Sequence, residues 1–251
     1  MSTRQKSLDQ LLVERELFDS RSQAQAAIMA GLVYVSEQKI DKAGTLVAFD
    51  AVIEVRGQAP YVSRGGLKLA KALDEFKIDP KDKVCLDIGA STGGFTDCLL
   101  QRGAAKVYAV DVGYGQLAWK LRSDPRVVVI ERTNARNLNW DEIRKLENAI
   151  IRKFDLSVVD VSFISLSKIL PVVYDLLGGK GEVVALIKPQ FEAGRSEVGR
   201  GGIVRDEKVR ERVREKVKKE AEGMGYEVLG QTESPITGAD GNIEFLLYLS
   251  K

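Results

Sequence analysis

The chain has 251 residues, 44% hydrophobic and 29% charged, which allows one large domain or a large and a small one with enough apolar side chains for a packed core. Its 38 basic and 36 acidic residues nearly cancel, so net charge does not announce nucleic acid, and the absence of histidine excludes a Ser-His-Asp relay, a histidine-ligated zinc site and a histidine general base. Two cysteines without a pairing pattern, no stretch near the roughly twenty apolar residues of a membrane helix and no apolar core in MSTRQKSLDQ together predict a cytoplasmic protein in a reducing compartment.

Residues 7 to 56 read as a compact unit. SLDQLLVERELF predicts a helix with Leu8, Leu11, Leu12 and Leu17 on one side and Ser7 as N-cap. DSRSQAQAAIMAG predicts a second helix that buries Ala24, Ala27 and Ile28 and stops at Gly31, the usual left-handed terminator. LVYVS then alternates as a strand, EQKIDKAGT turns, and DAVIEV closes a small sheet. Two helices and a few short strands make a core that suits an accessory module. The boundary is placed near Pro60, with residues 1–59 as this module, 60–80 as a linker and leading helix, and 81–251 as the main domain.

From Asp82 onward strand and helix alternate. KVCLDIGA, KVYAVDV, RVVVIE, FDLSVVDV and GEVVALIK are short apolar runs, each followed by a polar or amphipathic segment, which predicts a parallel, doubly wound α/β sheet. DEKVRERVREKVKKEAEGMG is the clearest helix, with Val209, Val213, Val217, Ala221 and Met224 on one stripe and Gly225 as its stop. YEVLGQ and NIEFLLYLS add two final strands as a hairpin-like pair.

LDIGASTGGFTDCLL runs from a strand through a glycine-rich turn into a helix. Gly89, Ala90, Ser91, Gly93 and Gly94, with Phe95 at the helix start, let a ligand approach the backbone and its free amides. The spacing is neither the dinucleotide G-x-G-x-x-G nor a G-x-x-x-x-G-K-[ST] phosphate loop. Asp111 ends the second strand, where a carboxylate can accept both hydroxyls of a ribose. A nucleoside grip without a strong phosphate cradle suits S-adenosylmethionine better than NAD, and Asn134, placed at the end of the third strand, is the residue to meet the adenine.

Asp160 ends the fourth strand and Lys188 the fifth, so both are expected in the crevice at the carboxyl edge of the sheet. The segment Asp160-Val161-Ser162-Phe163 departs from the Asn/Asp-Pro-Pro-aromatic pattern of enzymes that methylate exocyclic amines, and neither cysteine lies at this edge to act on carbon, which leaves oxygen as the target. Lys68 sits on the leading helix in SRGGLKL, and Glu244 within the last strand in GNIEFL, an odd place for an unpaired carboxylate. The set Lys68, Asp160, Lys188, Glu244 resembles the tetrad of the FtsJ-type RNA ribose 2′-O-methyltransferases. With DVSFISL, KPQFE and GNIEFL in order, the whole chain resembles the TlyA (hemolysin A) family of ribosomal RNA ribose methyltransferases. The resemblance implies an S-adenosylmethionine-dependent enzyme acting on rRNA, with cytidine as the target base. In that reading Lys188 is nearest the hydroxyl, Asp160 orients it, and Lys68 with Glu244 completes the charge pattern; no metal is expected.

The small N-terminal unit resembles the RNA-binding domain of ribosomal small-subunit protein four and of pseudouridine synthases, which implies that Arg4, Lys6, Arg21, Gln25, Lys39 and Lys42 face RNA. Between Lys188 and Lys219 eleven basic residues stand against six acidic ones, and EAGRSEVGRGGIVRDEKVR is glycine-rich, so a mobile loop carrying Arg195 and Arg200 onto phosphates is expected. Phe163 or Phe191 is positioned to stack on a base turned out of its helix. The competing readings are a non-catalytic RNA-binding or ribosome-assembly factor and, following the family's historical label, a hemolysin; no span or strongly amphipathic apolar helix favours the latter.

Overall fold

The computed structural model of the chain describes residues 5–18, 20–29, 31–57, 60–146, 153–238 and 240–251, so Arg4 lies outside the described residues. The chain divides into two units, Met1–Gly66 and Leu67–Lys251.

The first unit runs β1 (Gln5–Ser7), α1 (Leu8–Glu14), α2 (Arg21–Met29), β2 (Val33–Val35), β3 (Gln38–Lys39), β4 (Leu46–Ala48) and β5 (Ile53–Val55). Leu8, Leu11 and Leu12 pack against Ala24, Ala27, Ile28, Val33 and Val47 in one core. Gly31 ends α2 at φ +70, donating its N–H to the Ile28 carbonyl at 2.9 Å. The first helix is shorter than its apolar pattern predicts. Glu16 turns left-handed at φ +58 and Leu17 N–H closes on the Leu12 carbonyl at 2.9 Å, so the chain leaves the helix and Leu17 is 44% exposed instead of joining the core. Ser7 occupies the N-cap without a side-chain cap and belongs to β1, which pairs antiparallel with β4. This polar three-residue strand has no alternation for a sequence reading to detect. The other strands form a sheet of order β3-β2-β5.

The second unit opens with the chain of α3 (Gly65–Glu75) and continues β6 (Val84–Ile88), α4 (Gly94–Gln101), β7 (Lys106–Val110), α5 (Trp119–Arg122), β8 (Val127–Ile130), α6 (Trp140–Leu146), β9 (Phe154–Val159), α7 (Leu170–Leu176), β10 (Leu177–Ile187), α8 (Pro189–Glu192), α9 (Glu207–Gly223), β11 (Glu227–Glu233) and β12 (Phe245–Ser250). Seven strands form one sheet of order β11-β12-β10-β9-β6-β7-β8. Strands β6 to β10 are parallel, and β12 is antiparallel to both β10 and β11. The apolar runs of the parallel strands are buried because helices cover both faces, and α9 lays Val209, Val213, Val217 and Ala221 into the same core.

From β6 the chain builds outward through β7 and β8, then returns to place β9 on the other side of β6. This reversal opens a crevice at the carboxyl ends of β6 and β9, the position where open α/β sheets bind ligands. Three sequence expectations shift in detail. Strand β10 begins at Leu177, with a register irregularity between Leu177 and Glu182 that absorbs the glycine-rich GGKG as part of the strand. Glu244 precedes β12 by one residue instead of lying within it. Asn134 is four residues beyond β8, where it caps a 3₁₀ turn over Ala135–Asn137.

Candidate active site

The turn after β6 is set by backbone clearance. Gly89 has φ +86, and a Cβ there would come within 2.3 Å of the Asp160 carbonyl oxygen; at Gly93, φ +95, a Cβ would meet Leu121 Cδ1 at 2.2 Å. Only glycine lets the β6 and β9 ends pass this closely. Asp111, one residue past β7, is held by its own neighbourhood: Ser91 N–H donates to Oδ2 and Gly113 N–H to Oδ1, each at 2.7 Å. Each carboxylate oxygen retains a lone pair for a ligand hydroxyl.

A cavity of about 530 Å³ opens here, lined by Gly89, Ser91, Asp111, Asn134, Asp160 and Phe163 among others, a size that admits a nucleoside. Ala90, Gly93 and Gly94 shape the turn without lining the cavity, and Phe95 is buried in the core at 3% exposure. Asn134 lines the wall while its side-chain oxygen accepts Arg136 N–H at 3.1 Å. Val112, Gln116, Ser162 and Ile164 also line it. Ser162 and Ile164 belong to DVSFISL, whereas Val112 and Gln116 carry no motif and reach the crevice only through the fold.

Asp160, Lys188 and Glu244 stand at the ends of the adjacent strands β9, β10 and β12. Ile187 pairs with Phe245 in register, so Lys188 and Glu244 each lie one residue outside that pair. Lys188 Nζ is 2.7 Å from Asp160 Oδ1 and donates to Ser162 Oγ at 2.9 Å. Lys68 Nζ, from α3, meets Glu244 Oε2 at 2.5 Å, with the two side chains 10% and 2% exposed. The four charged groups are thus arranged as two ion pairs along one sheet edge.

Helix α8, which begins directly after Lys188, is stitched to the segment after β9. Glu192 accepts from Leu166 N–H and Ser165 Oγ, both at 2.7 Å, and burial pushes its carboxyl above the ordinary range against the pull of these donors. Phe191 meets Phe163 with ring centroids 5.1 Å apart. Phe163 is 90% exposed at φ +65, a strained conformation for an aromatic residue that holds its ring at the cavity mouth.

Asp87, within β6, escaped the sequence reading because it sits in an otherwise apolar run. It is fully buried, accepts Thr96 Oγ at 2.6 Å through Oδ2, and leaves Oδ1 without a hydrogen bond among the described residues. Burial, with the charges of Asp160 and Asp111, pushes its carboxyl up to about 7 against the opposing Thr96 hydrogen bond. Between an unfolded value near 4 and about 7 the folded chain retains a proton that the unfolded chain has released, so this group's stabilisation is full at low pH and is lost as pH rises through about 7. Asp87→Asn is expected to flatten that slope, on the order of a few kcal/mol between pH 5 and pH 8, in urea midpoints measured at both pH values. An unchanged slope would assign the dependence elsewhere.

The residues expected to face RNA divide into paired and open ones. Lys6 pairs with Glu14 at 2.5 Å. Arg21 and Gln25 both reach the buried Asp9, at 2.8 and 2.7 Å, and these hydrogen bonds hold the Asp9 carboxyl below its ordinary range against the upward effect of burial. Lys39, Lys42, Arg195 and Arg200 are exposed. The far end of the glycine-rich segment that carries Arg195 and Arg200 is hydrogen-bonded to the chain just before β12: Asn242 accepts from Val204 N–H and donates to the Gly202 carbonyl, both at 2.9 Å.

A carboxylate just past β7, a glycine turn without a phosphate cradle and a seven-stranded sheet with an antiparallel β12 fit S-adenosylmethionine and define the class of S-adenosylmethionine-dependent methyltransferases. The chain belongs to the FtsJ-like methyltransferase family, matched over residues 61–251, and carries an S4 domain over residues 6–53. Among its relatives, YqxC of Bacillus subtilis is 53% identical over 250 residues, covering 99% of this chain and 87% of that protein. The 16S/23S rRNA (cytidine-2′-O)-methyltransferase TlyA of Mycobacterium tuberculosis is 45% identical over 248 residues, covering 98% and 90%. A solved Streptococcus thermophilus protein described as a hemolysin superposes with a TM-score of 0.75 at 45% identity, over 100% of this chain and 90% of that one.

We propose that Asp111 accepts the ribose hydroxyls of the cofactor, a role that its replacement tests. Asp111→Ala is expected to weaken S-adenosylmethionine binding about 10- to 100-fold in calorimetry, with little change in melting temperature. Unaltered affinity would remove Asp111 from the cofactor site.

Proposed function

We propose that the protein transfers a methyl group to a ribose 2′-oxygen of ribosomal RNA, at a cytidine, and does so in the cytoplasm. The observation that carries the reading is the Lys188–Asp160 pair at the mouth of a nucleoside-sized cavity, one strand away from the Lys68–Glu244 pair. The (cytidine-2′-O) activity named for the mycobacterial relative supports the choice of atom and base.

A ribose hydroxyl is a poor nucleophile at neutral pH, and S-adenosylmethionine supplies an activated sulfonium methyl. The chain therefore has to orient the hydroxyl and accept its proton. Lys188 gives one of its N–H donors to Ser162 while its charge lies 2.7 Å from Asp160 Oδ1, and a further donor is left for the ribose oxygen. In its unprotonated form the same nitrogen takes the hydroxyl proton. Asp160 fixes the lysine, and the buried Lys68–Glu244 pair holds the neighbouring strand end. General-base assistance of this kind contributes on the order of 10²- to 10⁴-fold, with alignment of the two reactants carrying much of the rest. Phe163 stands where a base turned out of its stack would rest. Lys39 and Lys42 on the S4 unit, and Arg195 and Arg200 beside α8, are the exposed cations assigned to phosphates.

The deciding experiment incubates the full chain with labelled S-adenosylmethionine and unmodified ribosomal subunits or free rRNA, then maps ribose methylation. Label at a cytidine 2′-oxygen is the expected result. Label on a base would overturn the choice of the ribose oxygen, and no label on either subunit would overturn the enzymatic reading and favour an RNA-binding assembly factor.

A further inference from the structure

The loop after β7 and the first residue of α5 expose an unusual amount of apolar surface: Val112 is 73%, Tyr114 67% and Trp119 77% exposed. Apolar residues scattered singly over a surface need no explanation, but three within eight positions, beside a nucleoside cavity that Val112 itself lines, mark an interaction surface.

Charge identifies the partner. The Arg132 guanidinium lies 4.1 Å from the Tyr114 ring centroid, so the cation is stacked on the ring. Arg132 adopts φ +55, a left-handed backbone uncommon for arginine, and its N–H is fixed to the Gly113 carbonyl at 3.0 Å, which places the guanidinium beside this loop. In the same stretch Arg122 pairs with Glu131 and Arg126 with Asp124, whereas among the described residues neither Arg132 nor Arg136 meets a carboxylate. Arg136 lines the cavity. Flat exposed rings combined with unneutralised guanidinium groups match a partner that is both anionic and planar. Unpaired nucleic acid has that combination, with phosphates for the arginines and base faces for the rings.

We infer that Tyr114 with its stacked Arg132, together with Trp119, forms a stacking platform for an unpaired stretch of the RNA substrate next to the nucleotide held in the cavity. The inference rests on the reading of the chain as an RNA methyltransferase and adds a second RNA surface, on the catalytic unit.

The test uses the full chain. Binding of in vitro-transcribed 16S and 23S rRNA is measured by filter retention across a salt series, and S-adenosylmethionine binding by calorimetry. Trp119→Ala and Tyr114→Ala are each expected to weaken RNA binding about 10-fold while donor affinity holds within about twofold. Arg132→Ala is expected to reduce the slope of log affinity against log salt by about one. RNA affinity unchanged in both aromatic variants would overturn the platform. Loss of donor affinity in step with RNA affinity would also overturn it, identifying the loop as a cover over the cofactor. Methyl transfer by the unmodified chain is scored in parallel. Its failure would count against the enzymatic reading while the binding series still decides the platform.

Discussion

Replacing Lys188 with methionine is expected to slow methyl transfer by on the order of 10²- to 10⁴-fold under saturating S-adenosylmethionine, with donor affinity and the melting temperature close to those of the unmodified chain. Methionine keeps the aliphatic stem and removes the nitrogen that contacts Asp160 and Ser162. The side chains of this pair are 12% and 21% exposed, but the Asp160 Oδ1 that faces Lys188 is buried, so a small fall in melting temperature accompanies the loss of rate. Single-turnover transfer of labelled methyl to unmodified rRNA is the appropriate measurement, because it isolates chemistry from product release. Lys188→Arg sharpens the test. A guanidinium keeps the positive charge but does not give up its proton in proteins, so a variant that stays slow identifies proton acceptance, whereas recovery would reduce the role to charge stabilisation. Methionine turnover within about fivefold of the unmodified rate would remove Lys188 from the chemistry altogether.

The second large effect concerns stability. Glu244 is 2% exposed and Lys68 is its ion-pair partner, so Lys68→Met leaves a carboxylate in the interior with no cation beside it among the described residues. Breaking a buried pair from one side costs about 3–5 kcal/mol, which for a unit of this size lowers the melting temperature by roughly 10 °C. The double variant Lys68→Met/Glu244→Leu removes both charges and is expected to recover most of that loss, since well-packed apolar replacements of buried pairs are often neutral. Methyl transfer by the double variant is expected to remain more than about tenfold reduced, because the end of β12 beside Lys188 no longer carries a charge. Urea midpoints and single-turnover rates on the same three proteins separate the two roles. A double variant with full activity would make the pair purely structural.

These two pairs also mark the limit of what the chain discloses without its fold. The parallel strands and their helices were legible because apolar runs bounded by polar segments are local patterns, and so was the glycine turn, where backbone clearance at Gly89 and Gly93 demands one residue type. The end of α1 was not legible: Leu17 continues the apolar spacing, and the left-handed turn at Glu16 that diverts it has no glycine to announce it. The anchoring of Asp111 by Ser91 and Gly113 was likewise hidden, since it depends on two loops meeting.

The sequence by itself determined the class of sheet, the glycine turn and the acid at the end of the second parallel strand, because each is a property of a few adjacent residues and the dihedral angles or charges they permit. Only the tertiary structure decided that Lys68 pairs with Glu244 across 176 positions and Lys188 with Asp160, and that an exposed aromatic loop stands beside the cavity. The physical reason is that periodicity records which side of a strand is buried but not which strand lies next to it. Here the order β12-β10-β9-β6, created by the reversal after β8, selects the partners.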